Sequence, residues 1–150
     1  MRAWALALSV AAGALLAPAA ARADRVTLEV QVVEASVKGT AIDPRLEHMR
    51  DDFKAHGFAY RSYQLVSAKT VKVDMKTTTE ISLPNGRVAR FTPERREKSG
   101  GYSMHLEIPG LFDVRYTIGS GGTFFQGAGS NGHGKPDESQ VILMVKHTGG

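Results

Sequence analysis

Hydrophobic and polar residues alternate along most of the chain beyond residue 24. The first such run, residues 25–33, places a valine or leucine at almost every second position. A period of two is typical of a strand that turns one face to the core and the other to solvent. Similar short runs predict further strands over 60–66, 70–75, 78–83, 87–92, 102–108, 112–118 and 123–126. The last run, 140–146, is apolar on both faces, which predicts a strand that is covered on both sides.

One segment breaks this alternation and predicts a single helix over residues 44–56. Asp43 can cap its first turn, Pro44 suits its first position and Gly57 suits its end. Apolar residues recur in it at i, i+3 and i+7, which gives one stripe that can lie on a sheet. The stripe consists of Leu46, Met49 and Phe53.

The whole pattern predicts a mainly β fold, either an antiparallel β-sandwich or an open barrel of about eight or nine strands, with one α-helix. A parallel α/β sheet is disfavoured because it would need several crossover helices. Asn85-Gly86 lies between two of the predicted strands and predicts a hairpin with a type I′ turn. Pro93 is expected to end the second strand of that hairpin, since proline has no N–H for the strand ladder.

The first 23 residues predict an export signal rather than part of the fold. Arg2 gives a positive start, and the apolar run over 4–16 is shorter than the roughly 20 residues that span a bilayer as a helix. Residues 21–23 (Ala-Arg-Ala) then offer small side chains at the two positions that a signal peptidase recognises. Cleavage is therefore expected before Asp24, leaving 24–150 as a single β-sandwich-like domain with no transmembrane anchor. An uncleaved anchor is the alternative.

Composition narrows the function further. Loss of Arg2 and Arg22 on cleavage lowers the basic count from 19 to 17 against 15 acidic residues, a net charge of +2. This balance disfavours a nucleic-acid binder, which would concentrate basic residues on one face. The chain has no cysteine, so disulfides, thiol nucleophiles and Cys-ligated metals are excluded. Together with the signal, this composition favours a bacterial periplasm, with an extracellular location as the alternative.

The motifs that resemble binding sites are incomplete. Residues 127–132 match G-x-G-x-x-G, but a helix cannot begin in the His-Gly-Lys-Pro that follows, so a dinucleotide site is not predicted. His48 and Asp52 share a face of the predicted helix, yet a closed zinc site needs three or four ligands. We therefore predict no metal and no cofactor.

Two pairs of residues could support acid–base chemistry. His105 and Glu107 alternate on the polar side of one strand, and His133 lies near Asp137 in a glycine-rich loop. Histidine with a carboxylate is a common acid–base combination. Ordinary outward-facing strand and loop residues explain both pairs as well, so they are candidates only if the fold brings either pair into a pocket.

Six residues are candidate contacts for a partner. Four arginines cluster around the predicted hairpin and could touch an acidic protein or anionic lipid head groups: Arg87, Arg90, Arg95 and Arg96. A solvated hairpin tip, in which interleaved glutamates weaken the positive field, is the favoured alternative. The other two, Phe124 and Phe125, occupy a short predicted strand flanked by glycines. Adjacent strand residues point to opposite faces, so one ring should lie in the core while the other is a candidate exposed anchor. Burial of that second ring under a neighbouring strand is the alternative.

Several segments carry a resemblance. They are AIDPRLEHMRDDFKAHGFAYRSYQLV after the first strand, LPNGR at the hairpin, and the apolar last strand over 140–146. In these turns, caps and core positions the chain resembles a group of uncharacterised exported β-rich proteins of environmental Gram-negative bacteria. The resemblance implies an exported β-domain, and it carries no functional residues.

The sequence therefore predicts a non-enzymatic exported, periplasmic domain that binds a protein or cell-envelope partner, as an accessory of envelope assembly or secretion. Binding loops on rigid β scaffolds are common, whereas the polar residues here are scattered. One alternative is a carrier, because a barrel of about eight strands can hold one small apolar ligand. A second alternative is a small hydrolase that uses one of the two histidine–carboxylate pairs.

Overall fold

Two antiparallel sheets of four strands each make up the fold. The computed structural model describes residues 24–131 and 138–149. Its strands are β1 Arg25–Ser36, β2 Ser62–Asp74, β3 Thr79–Ser82, β4 Val88–Arg96, β5 Tyr102–Ile108, β6 Phe112–Ile118, β7 Thr123–Gly127 and β8 Ser139–Gly149. Sheet A has the order β2-β1-β8-β7 and sheet B the order β3-β4-β5-β6. The predicted mainly β class is confirmed, with two open sheets consistent with a sandwich and no closed barrel among the described residues.

The inner core lies between the two sheets. It collects the alternate apolar side chains of β1, β4, β5 and β8, which are almost fully buried. Its largest members include Phe91, Tyr102, Met104, Leu106 and Ile108. Full burial of one such side chain stabilises the fold by about 1.5–3 kcal/mol. The stability of this cysteine-free chain therefore rests on apolar packing between sheet A and sheet B.

A second core, the outer core, covers the face of sheet A that points away from sheet B. The helical segment 44–55 lies on this face and buries Leu46 and Phe53 completely. Beneath it, Ile142 and Met144 of β8 point outward, while the residues that alternate with them point into the inner core. The prediction that the last strand is covered on both sides is thus confirmed, with sheet B on one side and the helical segment on the other.

The helical segment begins where predicted and ends one residue early, but its first half is not α-helical. Pro44–Met49 form a 3-10 helix, and Arg50–Ala55 form an α-helix, α1. At the end, the Phe58 N–H donates to the carbonyl of Phe53 at 2.9 Å, and Gly57 has a φ of +81°. These are the features of a Schellman motif, in which glycine takes the left-handed position at little steric cost.

β2 corrects the prediction of two separate strands over 60–66 and 70–75. It is one strand with a β-bulge, because Ser67 lies opposite Val32 while Leu65 lies opposite Val33, which leaves Val66 as an extra residue. The bulge changes the face to which odd-numbered side chains point. Leu65 contacts the outer core, whereas Val73 belongs to the inner core. A strict period of two cannot describe such a strand.

The hairpin before β4 forms as predicted, but the type I′ turn is wrong. The Gly86 N–H donates to the Leu83 carbonyl at 3.1 Å, and the Leu83 N–H donates to the Arg87 carbonyl at 2.8 Å. Pro84 occupies the first central position, where its ring fixes a negative φ, although a type I′ turn needs a positive one. Within the turn only Gly86 is left-handed, at +79°, so the turn is type I followed by a glycine bulge.

Pro93 does not end its strand, contrary to the prediction. β4 continues to Arg96, and its pairing with β5 shifts between Pro93 and Arg95, so that Glu94 is the extra residue. A bulge is a position where a strand tolerates a residue without an N–H. Because β4 is longer than predicted, Arg95 and Arg96 lie at the end of the strand and not in a loop.

Candidate functional site

The candidate acid–base pair His105 and Glu107 lies on the outer face of sheet B. No hydrogen bond or ion pair joins the two within the described residues. The Nε2 atom of His105 lies 2.5 Å from Oδ1 of Asp113, and its Nδ1 lies 3.9 Å from Oε1 of Glu94. Glu107 is 3.9 Å from Arg90 instead. These groups form a row of polar and charged side chains across an open sheet face rather than a set that converges in a pocket.

The other histidine candidates do not form a metal site in the part of the chain that can be described. His48 lies in the 3-10 helix and borders a small depression of about 180 Å³ with Glu29 and Lys146. No three histidine, aspartate or glutamate side chains of the described residues are placed to hold a metal ion. His133 and Asp137 lie outside the described residues, so their pairing stays a prediction.

The four arginines are spread along β4 instead of clustering at one hairpin. Arg87 belongs to the turn before the strand, Arg90 lies near the strand's beginning, and Arg95 and Arg96 lie at its far end. A rise of roughly 3.3 Å per residue separates Arg87 from Arg96 by about 30 Å. The expected cluster is wrong because β4 runs through Pro93. Partner contact through any of these residues stays a prediction.

Three of these arginines already have carboxylate neighbours. The ion pairs are Arg90–Glu80 at 2.8 Å, Arg95–Glu97 at 2.9 Å and Arg96–Asp24 at 3.7 Å. The Arg96 guanidinium also lies 5.9 Å from the centre of the Tyr102 ring. Because each of these positive charges has an opposite charge close by, β4 does not present a strong positive field.

Phe124 and Phe125 point to opposite faces of sheet A, as expected for neighbours in a strand. Phe124 faces the inner core and stacks on Tyr116 with 3.8 Å between ring centres. Phe125 faces outward, 4.1 Å from the ring of His56 and 6.2 Å from that of Phe53. Both phenylalanines are half-buried. Each therefore packs within the fold, and a role in partner contact stays a prediction.

Several loops meet at the end of the sandwich where β1 ends. We call this the loop end; it comprises residues 37–43, 83–87, 109–111 and 128–131. The Asn85 amide joins two of these loops, donating to the carbonyls of Ala128 at 2.9 Å and Ser130 at 3.0 Å. Gly129 has a φ of +89°, and a Cβ there would lie 3.2 Å from Leu111. Close packing and side-chain hydrogen bonds therefore hold the loop end together.

A cleft of about 570 Å³ opens at the loop end. Its floor continues the inner face of sheet A beyond Val32, where the side chains become polar. Glu34 lies opposite Gln64, and Ser36 lies opposite Ser62. The volume falls within the range of about 300–1,000 Å³ that is usual for small-molecule sites. We call this space the loop-end cleft.

The walls of the loop-end cleft differ in character. One wall is the loop 41–44, which presents Ala41, Ile42 and Pro44. On another side stands Asn131, whose Oδ1 accepts a 2.7 Å hydrogen bond from the buried Ser139 hydroxyl. A mainly apolar wall therefore adjoins a floor of hydrogen-bonding groups.

Asp43 fixes the apolar wall. Its carboxylate accepts hydrogen bonds from the Arg45 side chain at 2.7 Å, from the Arg45 N–H at 3.0 Å and from the Leu65 N–H at 3.2 Å. These bonds, the one from the Arg45 side chain first among them, hold the pKa of Asp43 well below its usual range. The loop also pairs with the start of β2, since the Asp43 N–H donates to the Tyr63 carbonyl at 2.9 Å. The first part of the β2 edge is thereby covered.

The remainder of the β2 edge is open. β2 pairs only with β1, and no described strand pairs with residues 66–73 on the other side. Val66, Lys69 and Lys72 are exposed along this stretch. The other three edge strands are shorter, with four residues in β3, seven in β6 and five in β7. An open edge of this length is uncommon, because natural proteins usually shorten or cover such edges.

In comparisons with known proteins, no family model, no curated protein and no solved structure matches the chain. None of the helices in the described residues is long and apolar enough to cross a membrane. The function must therefore be inferred from the loop-end cleft and the open β2 edge.

The pattern of residues along the chain indicated neither of these two features. Glu34 and Gln64 are far apart in the chain and become neighbours only through the β1–β2 register. One signal was available, because Glu34 interrupts the series of apolar residues at inner positions of β1. The open edge had no comparable signal, since the bulge at Val66 made one long strand resemble two short ones.

Proposed function

We propose that this protein is a non-enzymatic exported domain that binds a protein partner by strand addition at the open edge of β2. An unpaired edge presents backbone N–H and C=O groups to which another extended segment can bind. Main-chain hydrogen bonds then provide affinity, and neighbouring side chains provide specificity. The observation that carries the proposal is the open stretch 66–73, next to an edge segment that residues 41–43 cover.

The charges on this edge favour an acidic partner segment. Neither Lys69 nor Lys72 forms an ion pair with any described residue. Lysines on an edge oppose pairing with a second copy of the same strand, since like charges would meet. An extended segment that carries aspartate or glutamate would instead neutralise them, so the same residues select for one partner and against another.

Export is part of the proposal. Its support is the apolar run over 4–16 and the small residues Ala21 and Ala23, which lie just before the first strand. Asp24 already belongs to the fold, because its carbonyl accepts a 3.1 Å hydrogen bond from the Met75 N–H. We propose a periplasmic location and a partner in the cell envelope or in secretion. Mass spectrometry of the purified protein tests this point and should find Asp24 as the first residue.

Two observations favour binding over the alternative functions. A barrel-type carrier would need an enclosed lumen, whereas the inner core between the two open sheets is filled by packed side chains and the loop-end cleft lies beyond it. A hydrolase would need convergent groups, whereas His105 and Glu107 have different partners on an open sheet face. Strand addition needs neither feature.

Photo-crosslinking in cells tests the proposal. A photoreactive amino acid at Ala68, on the open edge, should capture one partner, and mass spectrometry should map the crosslink to an extended acidic segment. The same group at Thr117 of β6, which is exposed on sheet B, should not capture that partner. Crosslinking of the same partner from both positions would refute contact at the β2 edge, as would the absence of any crosslink at Ala68.

Charge reversal separates the edge from general electrostatics. The double variant K69E/K72E should reduce capture at Ala68 by about tenfold or more, since like charges would now oppose an acidic segment. The matched control K54E/K98E makes the same change of net charge at two other exposed lysines that have no ion pair among the described residues. Equal capture by both variants would contradict an acidic partner at this edge.

A further inference from the structure

We propose that the loop-end cleft binds an aliphatic cation, an ammonium or guanidinium group on a short hydrocarbon stem, with Glu34 as its counter-ion. Such a group is carried by free alkylamines and by the side chains of lysine and arginine. This inference does not depend on strand addition at β2. It follows from the charges, the floor and the wall of the cleft.

The balance of charge among the described residues identifies the Glu34 carboxylate as the charged group of the cleft without a partner. The other two charged residues of the lining are already committed. Lys38 pairs with Glu138 at 3.4 Å, and Asp43 pairs with Arg45 at 2.7 Å. The backbone of Glu34 belongs to the sheet, but its carboxylate forms no ion pair or hydrogen bond with any described residue. Among the described residues of the lining, Glu34 is therefore the one charged group without an opposite charge.

The position of Glu34 makes this charge significant. It follows Val30 and Val32 at the inner positions of β1, both of which are 1% exposed, while Glu34 itself is half-buried. A carboxylate that is partly removed from water gains more from an opposite charge than a fully exposed one does. A cation entering the cleft would therefore replace lost hydration with a direct contact.

The rest of the lining fits the stem and the N–H groups of such a cation. The Gln64 side chain lies opposite Glu34 in the register and has no hydrogen-bond partner among the described residues. Its amide oxygen can therefore accept one hydrogen bond from the cation while the Glu34 carboxylate accepts another. Ala41, Ile42 and Pro44 provide an apolar wall for the methylene groups. Long cationic side chains commonly bury their stems along apolar surface while the charged group meets a polar partner. A simple inorganic cation would not use this wall.

An NMR titration of the full chain after export tests the proposal. The probe is n-butylguanidinium chloride, and the controls are n-butanol, which has the stem without the charge, and sodium chloride at equal ionic strength. We expect saturable shifts of backbone amide signals at Ser36, Ser62 and Gln64 with the probe alone. Equal shifts with sodium chloride, or no saturable shift with the probe, would overturn the proposal.

Variants assign the binding to Glu34. Glu34→Gln keeps the shape of the side chain and should weaken binding by about tenfold or more, since it removes one charge-assisted hydrogen bond. Glu29→Gln is the matched control, because Glu29 lies on the opposite face of the same strand and borders a different depression. Ala41→Phe keeps the charge and fills the cleft, and it should also abolish the shifts. Unchanged affinity in Glu34→Gln would refute the role of the carboxylate.

A second ligand distinguishes a cation that belongs to a protein segment from one that belongs to a small molecule. A blocked tripeptide with a central arginine presents the same group as part of a protein segment. Binding of the peptide at least as tight as that of n-butylguanidinium would assign the cleft to a basic side chain of a partner. Binding of the free alkyl compound alone would assign it to a small molecule. Loss of binding in Glu34→Gln is required in either case.

Discussion

The outer faces of the two sheets are built in opposite ways. On sheet A the outer face is apolar around Ile142 and Met144, and the helical segment 44–55 covers this part, with Phe53 fully buried and stacked on Tyr63 at 4.5 Å. On sheet B no described segment covers the outer face, which carries ion pairs such as Arg115–Glu94 at 3.3 Å. Both sheets share the same inner core, so the inward-facing residues do not account for the difference. The outward-facing residues of each sheet decide whether a further layer covers it.

The largest expected effect tests the covered face. Phe53→Ala should lower the free energy of unfolding by about 3–4 kcal/mol, because it removes buried ring surface and leaves a cavity beneath the helical segment. Urea denaturation followed by circular dichroism measures the change. A loss below about 1 kcal/mol would mean that the helical segment contributes little to the fold, and that the two outer faces differ less than their packing indicates.

An effect of intermediate size is expected in β6, where one residue faces the outer side of sheet B and the next faces the inner core. Arg115 points outward, whereas Tyr116 points inward and its hydroxyl is buried without a partner among the described residues. Burial raises the pKa of Tyr116 well above its usual value. Tyr116→Phe removes this unpaired hydroxyl and should stabilise the protein at neutral pH by about 1 kcal/mol.

The dependence on pH gives Tyr116→Phe a second measurement. A group whose pKa is raised in the folded state contributes stability that is lost as pH rises above its unfolded value, here 10.0. Wild-type protein should therefore lose stability above pH 10 more steeply than Tyr116→Phe does, in denaturation followed at several pH values. Parallel curves for the two proteins would show that the hydroxyl has access to water or to a partner. The pKa of Tyr63 is also raised by burial. Because Tyr63 is present in both proteins, its contribution cancels in the difference between their stability curves.

The sequence predicted this contrast between faces better than it predicted the connections. Alternation in β5 and β6 indicated one polar face, and the two apolar faces of β8 indicated cover on both sides, because burial acts on every residue of a strand. The bulges at Val66 and Glu94 were not predictable in this way, since each depends on which residue of a neighbouring strand lies opposite. The loop-end cleft and the open edge were the least predictable features, because both depend on the β2 register.

The smallest expected effect tests the outer face of sheet B. The side chain of Arg115 is 64% exposed and that of its partner Glu94 33% exposed, so water screens the pair and holding two side chains in place costs entropy. Exposed pairs of this kind contribute about 0–1 kcal/mol. Arg115→Ala should therefore change the free energy of unfolding by less than about 0.5 kcal/mol, with still less change at high salt. A loss comparable to that of Phe53→Ala would mean that sheet B depends on its charges as sheet A depends on its cover. The expected small value would instead show that the outer face of sheet B is free to vary in sequence without loss of the fold.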